Sequence, residues 1–146
     1  MIVELRCAAL PFIGAVADHY WFVATDEATG RTERWEVWQS PNAGGVSFGH
    51  VHRDLKHPDE GVGGGPTRIV SRWSGDAATK LAGVLEKCAD EYPHRDHYFP
   101  WPGPNSNTFV AWVLRQAGID FDLSVRSTMR FSRPSSPSAR PRPCSP

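Results

Sequence analysis

The stretch Trp101-Pro102-Gly103-Pro104-Asn105-Ser106-Asn107-Thr108-Phe109-Val110-Ala111-Trp112-Val113-Leu114-Arg115 decides how the chain is put together. Two prolines and a glycine stop the preceding segment and set the angle at which the chain enters the next element. Asn105, Ser106 and Thr108 stand where a helix needs its first amides capped, and apolar residues at helical spacing come next. The spacing predicts a helix over 107–117, with Phe109, Trp112, Val113 and Ala117 as its buried stripe and Gly118 as its C-terminal cap. A polar side chain at such a start is either a cap or a reactive group, and the rest of the chain has to supply the partner that decides between them.

Working outward, Ala77, Leu81, Val84, Leu85, Cys88 and Tyr92 recur at helical spacing. They predict an earlier helix with Asp76 as N-cap and Pro93 as its stop. The N-terminal part reads as strands. Ile2 to Ala8 alternates Val3, Leu5 and Cys7 with Glu4 and Arg6, and Pro11 and Gly14 are expected to end that strand. His19–Ala24 and Glu33–Gln39, rich in aromatic and β-branched residues, form a hairpin about a turn at Asp26–Thr32 that contains Gly30. Val46–His52 and Thr67–Trp73 are two further strands. Between them Asp54–Pro66, with its glycines and prolines, is a loop. The expected fold is α+β, a small antiparallel sheet packed with two helices, forming a single domain over 1–123. From 124 to 146 Ser, Arg and Pro dominate, which predicts a low-complexity, disordered tail.

Composition narrows the function classes. Hydrophobic residues make up 40% and charged residues 22%, and sixteen basic residues balance sixteen acidic ones. No global field therefore favours nucleic acid or an anionic membrane. The basic tail (Arg126, Arg130, Arg133, Arg140, Arg142) lacks the interleaved aromatics of a nucleic-acid binder. Cys7, Cys88 and Cys144 are too widely spaced for a disulfide framework or a zinc knuckle. No apolar run reaches the roughly eighteen residues needed for a membrane span, and no signal peptide is read, so a cytoplasmic location is expected. Gly61–Gly65 lacks the lysine and the strand-to-helix context of a phosphate loop. No cofactor is expected, and the expected partner is a small-molecule or peptide ligand.

Three constellations carry candidate chemistry. Ser106, at a helix start, is a candidate nucleophile whose developing charge would feel the positive helix end, although such residues are far more often plain caps. His19 is the candidate base. With the hairpin turn centred on 26–31, paired residue numbers sum to about 57, which places Glu36 diagonally beside His19 on one face as its orienter. The plainer alternative is a surface histidine beside a solvated carboxylate. His50-Val51-His52 with His57 and Asp59 is a weak metal signal, and no metal is expected.

Tyr92-Pro93, Tyr98, Trp101 to Phe109 and Ala111-Trp112 together resemble the hallmark of an uncharacterised bacterial family, domain-of-unknown-function family 3750. Upstream hallmarks agree: His19 followed by Trp21, Phe22 and Val23; Arg34-Trp35-Glu36-Val37; and Gly75 with Ala78. The resemblance runs from about residue 15 to 123. It departs where family members continue into a P-P-T-A-I-G-K-D-like segment, which is Ser124-Val125-Arg126-Ser127-Thr128 here. The order of parts is similar to permuted papain-like proteins of the NlpC and lecithin-retinol-acyltransferase kind. That resemblance implies a hydrolase or acyltransferase of amide or ester bonds. His19 would match the catalytic histidine, Glu36 its polar partner, and Ser106 the position of the cysteine. Asn105 or Asn107 would hold the oxyanion, and Trp21, Trp101 and Trp112 would wall the cleft. The alternative is a non-catalytic member that binds a peptide, glycan or lipid fragment in the same cleft.

Overall fold

A computed structural model of the chain describes residues 1–12 and 15–123. Six strands, β1 (Ile2–Phe12), β2 (Ala15–Thr25), β3 (Thr32–Val37), β4 (Val46–Phe48), β5 (Val51–Arg53) and β6 (Arg68–Ser74), precede two helices, α1 (Gly75–Glu91) and α2 (Ser106–Gln116). The strands form one antiparallel sheet in the order β4-β5-β3-β2-β1-β6. This is the α+β arrangement expected from the sequence.

The β2–β3 hairpin fixes the frame. Its registered pairs run from Thr25↔Thr32 to Phe22↔Trp35, so paired numbers sum to 57 as the turn predicts. Asp26 makes that turn by accepting from the Ala28 amide (2.9 Å) and the Thr29 hydroxyl (2.8 Å), while Gly30 takes the left-handed conformation at φ +72°. Because strand side chains alternate, this register sorts the sheet into two unlike faces.

One face packs the helices. Leu5, Cys7, Tyr20, Phe22, Trp35 and Val37 meet Leu81, Leu85 and Cys88 of α1 and Phe109, Val110, Val113 and Leu114 of α2 in one buried core. Phe109 is its centre, with its ring 5.2 Å from Tyr92 and 6.5 Å from Phe22, both edge-on. The other face carries Ala8, Trp21 and Val23, and the loop after β5 covers it by inserting Val62.

Several boundaries differ from the sequence expectation. β1 continues through Pro11 to Phe12, because its partner β2 begins at Ala15 and extends the hairpin. The expected strand over 46–52 is two strands, β4 and β5, that reverse at Gly49 (φ +66°), where a side chain would collide with the Arg95 carbonyl. The N-cap position of α1 is Ser74, with no side-chain cap bond. Asp76 lies inside the first turn, favourable to the helix dipole, with Lys80 Nζ 2.9 Å away. α2 buries Phe109, Val110, Val113 and Leu114, with Ala117 just beyond, and leaves Trp112 half-buried. The expected tail over 124–146 lies outside the described residues.

Candidate functional site

The Trp21 face of the sheet holds a buried polar cluster. His19 stands on β2 beyond the last registered pair with β3, and Glu36 and Arg34 alternate along β3 with the core residues Trp35 and Val37. His19 Nε2 lies 2.9 Å from Glu36 Oε2, the histidine 4% and the glutamate 0% exposed. The diagonal contact predicted from the turn is present. Arg34, equally buried, donates from Nη2 to the same carboxylate oxygen (2.9 Å), and its Nε lies 2.8 Å from Oε1.

The guanidinium also holds the covering loop. Its Nη1 donates to the carbonyls of His57 (2.9 Å) and Glu60 (2.6 Å), and its central carbon lies 4.2 Å from the centre of the Trp21 ring. Trp21 Nε1 donates to the intervening Pro58 carbonyl (3.2 Å), to which Arg6 also donates (3.1 Å). Burial alone would push the Glu36 carboxyl up. The His19 hydrogen bond and the Arg34 charge outweigh it and hold the group below the usual carboxylate range. Such a pair adds little net stability over an apolar replacement, but removing one partner strands the other charge.

The imidazole is gripped by its surroundings and open on one side. Trp38 meets it edge-on at 5.3 Å and Trp21 at a tilt at 6.0 Å. A carboxylate facing Nε2 calls for the proton there, leaving Nδ1 as the bare base. Nδ1 hydrogen-bonds to no described residue. His19 lines a pocket of about 290 Å³ with Leu10, Trp38, Val62, Gly63 and Tyr98 as its walls and the exposed Gln39 beside them. An imidazole on a mostly apolar wall can take a proton from a bound group or accept a hydrogen bond from it.

The other sequence candidates are not gathered there. Asn105 caps α2: its side-chain oxygen accepts from the amides of Asn107 (3.0 Å) and Thr108 (3.3 Å), and Thr108 Oγ1 accepts back from the Asn105 amide (3.2 Å). Ser106 is therefore the first helical residue and not the cap. It is 6% exposed, and its hydroxyl hydrogen-bonds to no described residue. α2 packs on the Phe22 face while His19 alternates to the Trp21 face, and no described contact joins Ser106 to His19 or Glu36. Asn107 is exposed. Trp21 is buried under Arg34, Trp112 packs against Tyr92 on the helical side, and Trp101 is 85% exposed. The three tryptophans do not wall one cleft.

The histidine pair is also dispersed. The turn at Gly49 takes His50 out of the strand, where it hydrogen-bonds the Trp38 carbonyl (2.9 Å) and stacks on Tyr98. His52 is buried between Ser47 Oγ (2.9 Å) and the Ser40 carbonyl (3.2 Å), while His57 and Asp59 sit on exposed loop. Among the described residues no group of three or more His, Cys, Asp or Glu could hold a metal.

Arg34 and the loop carbonyls were missed in the sequence. Arg34 shares strand parity with Glu36, and that was the available signal. The carbonyls carry no side-chain signature at all.

No helix among the described residues is long and apolar enough to cross a membrane. No curated protein and no solved structure was found to match the chain. Residues 1–130 match the family described as a protein of unknown function, DUF3750. That match carries the family seven positions past Leu123, over the segment where the sequence departs from the hallmark. The chain belongs to the DUF3750 family.

Proposed function

We propose that His19 and Glu36 form the acid–base centre of a hydrolase or acyltransferase acting on an amide or ester bond bound in the pocket beside them. One observation carries this reading: a buried imidazole that lines a pocket is held through Nε2 by a carboxylate, while its Nδ1 hydrogen-bonds to no described residue. In the reaction Nδ1 takes the proton of the attacking water or substrate hydroxyl and later gives it to the leaving group. Glu36 fixes the tautomer and stabilises the imidazolium formed between those steps. The amide of Gln39, beside the pocket, is a neutral donor for a developing oxyanion.

A panel of nitrophenyl esters and anilides tests this. His19→Ala is expected to lower kcat/KM by about a hundredfold or more, the usual worth of a positioned base, and Ser106→Ala to leave it unchanged. Turnover that survives His19→Ala would overturn the proposal. Ser106 keeps a second reading alive, because its buried hydroxyl at a helix start is not consumed by capping. Labelling by a fluorophosphonate that disappears in Ser106→Ala would move the nucleophile to Ser106. Absence of any turnover, with ligand binding that still needs His19, would favour the non-catalytic member that binds a peptide, glycan or lipid fragment.

A further inference from the structure

Arg34 hydrogen-bonds both to the Glu36 carboxylate and to the loop that forms the wall of the pocket beside His19. Its Nη2 and Nε face the Glu36 carboxylate, and its Nη1 is shared by the carbonyls of His57 and Glu60. Two residues beyond Glu60, Val62 is 4% exposed and, with Gly63, lines the pocket beside His19. The glycines that flank Val62 add no side-chain packing, so apart from Val62 itself the loop's position depends on what the 57–60 carbonyls hold on to. We propose that Arg34 is a positioning residue that couples this loop to the dyad: the loop is seated when the guanidinium is turned to Glu36, and Glu36 holds His19 by Nε2 when the guanidinium is held by the loop. The planar fork is what the role requires. An ammonium has the charge but not two nitrogens held apart in one plane, one donating to the carboxylate and one to the loop, so lysine cannot serve both sides. The proposal rests on His19 as the working group of the site, but its test uses no substrate and so fails or succeeds apart from turnover.

The test measures both ends of the coupling in Arg34→Lys. Hydrogen exchange of the amides over 60–65 is expected to accelerate by about tenfold or more, the factor given by losing one charge-assisted hydrogen bond of ordinary strength. Long-range proton–nitrogen spectra of the His19 ring are expected to show the proton confined to Nε2 in the wild type and shared between both nitrogens in the variant. A loosened loop with an unchanged ring, or an unchanged loop, overturns the coupling. Should Arg34→Lys not fold, coupling requires reciprocity. Val62→Ser, which frees the loop from the apolar side, must then disturb the same His19 signals, and undisturbed signals overturn the proposal.

Discussion

At the scale of single residues the helix start is a division of labour between neighbours. Asn105 does the capping, so Asn105→Ala should cost about 1 kcal/mol in a denaturant melt, whereas Ser106→Ala should fall within the roughly 0.5 kcal/mol typical of neutral changes. The sequence pointed to a cap here but could not say which of three small polar residues it was. A one-residue shift of the helix start decides that, and boundaries of this kind are set by tertiary packing. Cys88 gives a second prediction. Burial pushes its thiol up to about 12, so iodoacetamide at pH 8 should leave the peptide holding it unmodified in the folded protein and alkylate it in denaturant.

At the scale of elements, the β2–β3 hairpin and α2 do the positioning. The hairpin was legible because Asp26, Gly30 and the flanking aromatic runs fix turn and register together, and register places Glu36 beside His19. The β4–β5 reversal was not legible, since the left-handed turn at Gly49 is set by the Arg95 carbonyl far along the chain. Nor was the packing of α2, which carries Ser106, on the Phe22 face of the sheet. Strand parity tells which residues share a face but not which face a later helix covers. α2 makes its contribution through Phe109, which is wholly buried among Phe22 and Tyr92. Phe109→Ala should destabilise by about 3–5 kcal/mol, read as a lowered denaturation midpoint with the fold otherwise kept.

For the molecule as a whole, the sheet separates an apolar core on the helical face from a charged, hydrogen-bonded interior under the loop. That interior makes stability depend on acid. The Glu36 carboxyl is held below its ordinary value of 4.5, so its contribution is present in full above about pH 4.5 and is lost as pH falls through the lower folded value. Asp26, Asp59 and Glu60 are shifted the same way by hydrogen bonds, but they are solvent-exposed and contribute little. Glu36→Gln, which leaves Arg34 without its counter-charge, should cost about 3–5 kcal/mol at neutral pH and show a shallower loss of stability on acidification. Chemical melts from pH 7 to 3 would check both; an acid limb as steep as that of the wild type would count against Glu36 as its source.

The strict alternation along β2 has one more consequence, and it concerns length more than composition. Asp18 and Tyr20, the immediate neighbours of His19, belong to the helical side, as Phe22 does. Inserting or deleting a single residue between His19 and Phe22 would hand the imidazole to the oily layer and deliver a neighbour to Glu36. Changes of two residues would keep it on the Trp21 face but carry it about 7 Å along the strand, away from Glu36. The stretch from His19 to Phe22 is therefore fixed in length wherever the imidazole is to meet Glu36, a counting constraint on the gene that no single substitution would reveal.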